Sequence, residues 1–164
     1  MNSIMFGEWK KKRVEEEEIQ IELPEESYAL LKWKENDLLC IAMLNSALKQ
    51  FSHKEIFAWH LMVTIEFEEL IENGMPSIEE REIVDPFSDK LESEIKAGGN
   101  ALFLIRETWN GTRCLVWRVY DPDIANQHLE YLANNYQYPR QFNWHMSHDP
   151  GWGKAKWYFE QLKL

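Results

Sequence analysis

Apolar and polar residues alternate most clearly in the segment "FAWHLMVTIEF", residues 57–67. Every odd-numbered position in it is apolar, whereas the even-numbered positions include His60, Thr64 and Glu66. Successive side chains of a β-strand point to opposite faces of a sheet. The pattern therefore predicts a strand with one wholly apolar face.

Several other segments have strand character. "YALLKWK" and "LLCIAML" are joined by the short polar connection "END", and "ALFLIRETW" and "RCLVWRVY" flank "NGT", so each pair predicts a β-hairpin. An edge strand is predicted where "IQIEL" alternates, and another strand in "RQFNWHMS". In chain order these segments are residues 19–23, 28–34, 38–44, 101–109, 113–120 and 140–147.

A long helix is predicted to start at Ser77, which forms an S-x-x-E capping box with Glu80. It is expected to run to about Ala97, where Gly98-Gly99 ends it. Pro86 interrupts this helix, so we expect a kink or a break into two pieces near Asp85. The apolar stripe expected to face the sheet consists of Ile83, Phe87, Leu91 and Ile95.

A second helix is predicted after "YDPD", with Asp121 as the N-cap and Pro122 at the first helical position. Its expected stripe is Ile124, His128, Leu132 and Tyr136. The closing segment "GKAKWYFEQLKL" predicts a short terminal helix.

From residue 57 the predicted order is strand, helix, strand, strand, helix, strand and a terminal helix. This order predicts an α+β fold, a ferredoxin-like split βαβ sandwich with two helices on one face of an antiparallel sheet. Residues 1–164 are predicted to form one domain, with N-terminal strands and a hairpin in 1–56 and the core in 57–164. The hairpin either extends the same sheet or packs on its other face, since two strands alone are marginally stable.

The chain is strongly acidic, with a formal net charge of −10. Residues 1–82 contain 9 Lys/Arg and 18 Asp/Glu, whereas residues 83–164 contain 9 and 10. An acidic field disfavours direct binding to nucleic acid and attracts a basic protein partner. The commoner explanation of such a surface is solubility alone.

Cys40 and Cys114 lie far apart and lack the spacing of zinc ligands or a redox motif. No stretch resembles a signal peptide or approaches 18 consecutive apolar residues, so a cytoplasmic protein without membrane association is expected. We also expect no cofactor and no metal.

The most site-like residues occupy the polar positions of two predicted strands. They are His60, Thr64, Asn143 and His145, and Arg118 joins them if the register of the strands permits. We expect this candidate binding face on the side of the sheet away from the helices. A solvated sheet face produces the same alternation, so the pattern alone does not identify a site.

The stretch "WHMSHDPGWGKAKWYF" is rich in histidine and aromatic residues. His145 and His148 are three residues apart, which on a strand places them on opposite faces and disfavours a metal site. A structural interpretation is preferred, in which Asp149 accepts backbone N–H groups at a helix approach. Trp152 and Trp157 then lay the last helix onto the domain.

Sequence motifs of enzymes are missing, including GxSxG, a Walker loop, GxGxxG and HExxH. Catalysis is therefore not supported by the sequence, and no catalytic residues are assigned.

The chain resembles the bacterial domain-of-unknown-function family 695 (DUF695). The resemblance is carried by "NGMPSIEE", "NGTR", "YDPD" and "DPGWGKAKWYFEQL", over roughly residues 57–164 and more weakly in the hairpin. It implies a small α+β domain, found alone or beside a domain similar to regulator of ribonuclease activity B, which inhibits a nuclease. Pro86 and the wide spacing in "GWGKAKW" depart from the family pattern.

Two functional hypotheses follow. The leading one is a non-catalytic interaction or regulatory module, an acidic inhibitor or immunity-type protein whose partner is a basic nuclease or toxin. The alternative is an enzyme or small-ligand-binding protein that uses the open sheet face around His60, Arg118 and His145. A pocket that holds those three side chains favours the alternative, and a covered face argues against it.

Overall fold

The computed structural model describes residues 21–163. Within them the chain forms an α+β fold with a six-stranded antiparallel sheet and three α-helices. The strands are β1 (Tyr28–Glu35), β2 (Leu38–Asn45), β3 (Trp59–Glu66), β4 (Ala101–Trp109), β5 (Thr112–Val119) and β6 (Phe142–His148). The helices are α1 (Ile78–Lys96), α2 (Pro122–Asn134) and α3 (Gly153–Glu160).

The strands lie in the order β1-β2-β4-β5-β3-β6, and each neighbouring pair is antiparallel. The N-terminal hairpin extends the main sheet, because β2 pairs with β4. This pairing resolves the alternative that the sequence left open. A bulge between Phe103 and Ile105 shifts the register of β4 against β5.

One face of the sheet packs against α1 and α2. Inward residues of β3 and β5, such as Leu61 and Trp117, are fully buried there. The helices contribute the buried residues Val84, Phe87, Leu91, Ile95, Ala125, Leu129 and Leu132.

The opposite face is covered by α3 and by the chain between β2 and β3. Trp152, Ala155 and Phe159 pack there against Phe51 and Phe57. Burial of apolar surface on both faces makes the middle of the sheet the centre of the domain.

Pro86 lies inside α1, which runs unbroken from Ile78 to Lys96. Of the kink or break predicted near Asp85, the break into two pieces therefore does not occur. Proline removes one backbone hydrogen bond of a helix, but Val84 and Phe87 on either side of it are buried against the sheet. Packing keeps both halves in one helix.

The predicted helix stripes are partly wrong. Ile83 is 40% exposed and Ile124 is 48% exposed, and their places in the core are taken by Val84 and Ala125. Counting strictly in fours drifts around a helix that has 3.6 residues per turn. Tyr136, the last residue of the second predicted stripe, lies beyond the end of α2 and is exposed.

The edge strand predicted at residues 19–23 lies partly outside the described residues. The described part, residues 21–23, has no strand conformation, although Ile21 is fully buried in the core beneath α3.

Two Asn-Gly turns meet at one end of the sheet. Gly74 has a φ of +73°, and a Cβ atom there would lie 2.8 Å from the Cα atom of Asn110. The backbone N–H of Gly111 donates to the carbonyl of Gly74 over 2.7 Å. Glycine at position 74 therefore allows the loop before α1 to rest on the β4–β5 turn.

Candidate functional site

The residues of the candidate binding face lie on three strands, and the register brings only some of them together. His60 pairs with Arg118 across β3 and β5, and Thr64 pairs with Asn143 across β3 and β6. His145 lies opposite Met62. His60 and Arg118 are buried, whereas Asn143 and His145 are exposed on the edge strand β6.

Arg118 is the centre of a buried polar cluster, and its side chain has no exposed surface. Its Nη1 atom lies 3.0 Å from Nδ1 of His60 and donates over 3.0 Å to Oδ2 of Asp149. Its Nη2 atom donates to the backbone carbonyl of Asp149. We call Arg118, His60, Asp149 and Trp152 the Arg118 cluster.

The charges of this cluster are fixed by burial and by hydrogen bonds. Burial, together with the positive charge of Arg118, lowers the pKa of His60 to about 4. His60 is therefore neutral at pH 7 and accepts a hydrogen bond at Nδ1. Burial opposes ionisation of Asp149, but hydrogen bonds from Lys154 N–H and Arg118 outweigh it and lower the pKa of that carboxyl.

Trp152 closes the cluster. The guanidinium carbon of Arg118 lies 4.8 Å from the centroid of the Trp152 ring, and Trp152 is 2% exposed. Its indole N–H donates to the carbonyls of Lys54 and Phe57 over 2.8 and 2.9 Å. The face expected to be open is therefore covered at His60 and Arg118.

Asp149 has the structural position that the sequence indicated. Its carboxylate accepts the backbone N–H groups of Gly153 and Lys154 at the start of α3, over 3.0 and 3.1 Å. Its own N–H donates to the carbonyl of Ala58. The carboxylate thus joins a helix start, a buried guanidinium and the end of a strand, which is a structural task.

Trp157 contributes less than Trp152. It is 46% exposed and makes an edge contact with Trp33, with ring centroids 5.0 Å apart.

Thr64 does not join the Arg118 cluster. It is half-buried beside Cys114, and burial raises the pKa of that thiol to about 12, although a hydrogen bond with Thr64 opposes the shift. Cys114 is thus a protonated thiol at neutral pH and a poor nucleophile.

Sequence reasoning missed the loop between β3 and α1. Residues 66–85, which include this loop and the start of α1, contain eight carboxylates and one arginine. Glu66, Glu68, Glu69 and Glu72 are exposed, and the aliphatic side chains of Leu70 and Ile71 are 47% and 60% exposed beside them. We call residues 66–72 the acidic loop.

The acidic loop is held in place by Glu80, whose side chain is 1% exposed. Its carboxylate accepts two hydrogen bonds from Arg140, over 2.8 and 2.9 Å, and one from the N–H of Glu68 over 2.7 Å. The Arg140 bonds are the main reason that the pKa of Glu80 is lowered. The exposed side chains therefore stand on a fixed backbone.

A cleft of about 600 Å³ lies beside this loop, where α1 begins above β2 and β4. Its apolar lining is Ile41, Met43, Ile71, Met75, Pro76 and Ile78. Its charged lining residues are Arg81, Arg106, Arg113 and Glu79, and we call it the α1 cleft. No sequence motif predicts the α1 cleft, because β2, β4, β5 and the acidic loop each contribute only one or two residues to its walls.

Within residues 21–163, no group of three or more His, Cys, Asp or Glu side chains is placed to hold a metal ion. None of the helices described here is long and apolar enough to cross a membrane.

A protein-family model described as "Family of unknown function (DUF695)" matches residues 32–163. The match includes most of the N-terminal hairpin, which the sequence motifs covered only weakly. No curated protein and no solved structure gives a significant match to the chain.

Proposed function

The chain belongs to DUF695, and we propose that it is a non-catalytic interaction module that binds a basic protein through the acidic loop. The observation that carries the proposal is the pairing of exposed aliphatic and acidic side chains in residues 66–72. Protein interfaces commonly have an apolar centre with charged groups around it.

We infer that β3–β6, α1 and α2 form a ferredoxin-like split βαβ core. Two observations support this inference: the strand order β4-β5-β3-β6 and the burial of both helices against one face of the sheet.

The charge of the acidic loop favours a basic partner. Glu69 and Glu72 are exposed and have no ion-pair partner among the described residues. Carboxylates of this kind accelerate association with a basic surface and repel acidic ones. Contacts of Leu70 and Ile71 would then slow dissociation.

A basic nuclease or a nucleic-acid-binding toxin is the partner class that we propose. Such proteins expose lysine and arginine to phosphates, and the carboxylates of the acidic loop would occupy that surface. An immunity protein against a toxin and a regulator of a housekeeping ribonuclease are two forms of the same function. Neither requires this chain to bind nucleic acid.

A non-catalytic role agrees with the chemistry of the Arg118 cluster. Its histidine is neutral, its arginine is fully buried and its carboxylate is engaged by α3. We also place the module in a reducing compartment, the cytoplasm, because Cys40 and Cys114 are free thiols.

The experiment starts with a photo-crosslinking residue at Ile71, introduced in the source cell. The matched control carries the same residue at Tyr131 on α2, which is equally exposed at 60%. A protein crosslinked only from position 71 is then purified, and its binding to this chain is measured at increasing salt concentrations.

Charge variants complete the test. Glu69→Gln with Glu72→Gln removes two charges from the acidic loop, and Glu25→Gln with Glu160→Gln removes two exposed charges elsewhere. We expect a basic partner whose affinity falls with salt and falls at least about tenfold only for the loop variant. An acidic partner, or equal effects of the two double variants, overturns the proposal.

A further inference from the structure

The α1 cleft has the dimensions and lining of a small-molecule site. Its volume of about 600 Å³ lies within the range of roughly 300–1,000 Å³ that is usual for ligand pockets. Met43 and Met75 contribute flexible side chains to its walls, and Ile41, Ile71 and Ile78 contribute branched ones. An apolar body of variable shape fits such walls.

Arg113 is a rigid cation in this cleft and is only 5% exposed. Its Nε atom donates to Thr108, and its Nη1 atom donates to Asp85 over 2.7 Å and to Ser88. The ring of Phe67 lies 5.6 Å from the guanidinium carbon. The described residues provide no hydrogen-bond partner for Nη2, so this donor is available to a ligand.

Arg106 and Arg81, the other two arginines of the cleft, differ in whether a nearby carboxylate neutralises their charge. Arg106 donates from Nη2 to Asp89 over 2.7 Å and to Glu92 over 3.4 Å. Arg81 is exposed, and no carboxylate of the described residues lies within ion-pair distance of it. Glu79 also lines the cleft but makes no ion pair with Arg81. The guanidinium of Arg81 therefore has no carboxylate partner among the described residues, and it can pair with the carboxylate of a ligand.

The start of α1 adds to the same potential. Ser77 caps the helix by accepting the N–H of Glu80, and Ser77 and Ile78 line the cleft. The positive end of a 19-residue helix favours an anion at this position.

We propose that the α1 cleft binds a small molecule that has an apolar body and one carboxylate, with the carboxylate held by Arg81 and Arg113. The bound body lies against Met43, Met75 and Ile78. This site does not depend on the proposed interaction of the acidic loop, although Ile71 belongs to both surfaces.

The test uses the full chain labelled with ¹³C in its methionine methyl groups. Three probes of one chain length are titrated below their micelle-forming concentrations: decanoate, decanol and decyltrimethylammonium. Met43 and Met75 report on the cleft, whereas Met62 and Met146 lie on β3 and β6 and serve as internal controls. Met→Leu variants assign the signals.

We expect decanoate to shift Met43 and Met75 in a saturable way and to leave Met62 and Met146 unchanged. Loss of a charge-assisted hydrogen bond costs on the order of a tenfold change in affinity. Decanol should therefore bind about tenfold more weakly, and decyltrimethylammonium should not bind.

Variants separate the charge from the apolar body. Arg81→Gln should weaken decanoate binding about tenfold, and Lys90→Gln, an exposed cation on another part of α1, should not change it. Met43→Trp should block the cleft while the protein keeps its thermal stability. Equal binding of the three probes, shifts at Met62 and Met146, or no shift at Met43 and Met75 overturns the proposal, whatever the outcome of the crosslinking.

Discussion

Two buried arginines of β5, five residues apart, occupy opposite ends and opposite faces of the sheet and have different surroundings. Arg118 is fully enclosed, with Asp149 and His60 on its guanidinium and Trp152 above it. Arg113 is nearly as buried, but it lines an open apolar cleft, and its partner Asp85 is 44% exposed. The Arg118 cluster is closed by Trp152, whereas the Arg113 end has an open cleft, to which we assign the proposed ligand.

Residue chemistry alone does not identify a site in this protein. Histidine, arginine and aspartate meet within hydrogen-bond distance in the Arg118 cluster, yet their bonds are made to one another and to the start of α3. The Arg113 end differs because its arginine lines an open cleft and one of its guanidinium nitrogens, Nη2, has no hydrogen-bond partner among the described residues.

The largest expected loss of stability comes from removing the enclosed guanidinium of Arg118. Arg118→Met leaves the carboxylate of Asp149 and the ring of His60 without their shared donor, so we expect the free energy of unfolding to fall by roughly 4 kcal/mol. Urea unfolding measures it. The matched variant Arg106→Gln breaks a partly exposed ion pair and should cost about 1 kcal/mol or less. Similar costs for the two variants would contradict the contrast between enclosed and open cations.

A second effect on stability is expected at Trp152, whose ring covers Arg118. Trp152→Ala should cost about 3 kcal/mol, because it leaves a cavity in the core and removes two indole hydrogen bonds. Trp157→Ala, with a half-exposed ring, should cost about 1 kcal/mol. Chemical denaturation of both variants checks the order. Wild-type stability in Trp152→Ala would mean that the ring is not a structural cover.

Stability should also depend on pH through His60. The pKa of this histidine is about 4 in the folded chain, against 6.5 as the ordinary value, so the unfolded chain binds the proton first. The contribution of neutral His60 to the free energy of unfolding is complete above pH 6.5. It is lost as the pH falls towards 4, and the loss reaches up to about 3 kcal/mol.

Unfolding experiments between pH 7 and pH 4 measure this loss, and the ¹⁵N shifts of the imidazole report the pKa directly. In the variant His60→Gln, the free energy of unfolding should depend less steeply on pH between pH 7 and pH 4. Protonation of His60 near pH 6.5 in the folded protein would show that the cluster is open to solvent.

The smallest expected loss of stability concerns Gly74, in the loop before α1 at the Arg113 end of the sheet. Gly74→Ala forces a Cβ atom against Asn110 at a φ of +73° and should cost about 2 kcal/mol. Gly151→Ala meets no atom within 4 Å and should change stability by less than about 1 kcal/mol. Differential scanning calorimetry distinguishes them. Equal melting temperatures would mean that the acidic loop is not fixed by its contact with the β4–β5 turn.

Much of the fold was predictable from local patterns. Alternation in residues 57–67 predicted β3, and the S-x-x-E box predicted the start of α1 at Ser77, whose hydroxyl accepts the N–H of Glu80. The helix does not break at Pro86, because packing on the sheet overrides local propensity. The helix stripes were misjudged by one residue at Ile83 and Ile124, since a four-residue count does not match the helical repeat.

The candidate site was predictable only in part. The register of β3 and β5 does bring His60 to Arg118, but the sequence did not show that Asp149 and Trp152 also pack against Arg118. Asn143 and His145 share the strand but remain exposed at the sheet edge. The α1 cleft depends on contacts between distant segments, which no single window of sequence records.

The methionine methyl spectrum with the purified crosslinked partner distinguishes binding at the Arg113 end of the sheet from binding at the Arg118 end. Met75 and Met43 line the cleft beside the acidic loop, whereas Met62 lies opposite His145 on the face first expected to bind. Titration of the partner should shift or broaden the signals of Met75 and Met43 and leave Met62 unchanged. A response at Met62 with unchanged Met75 and Met43 would place the binding surface on the β3–β6 face and contradict the account.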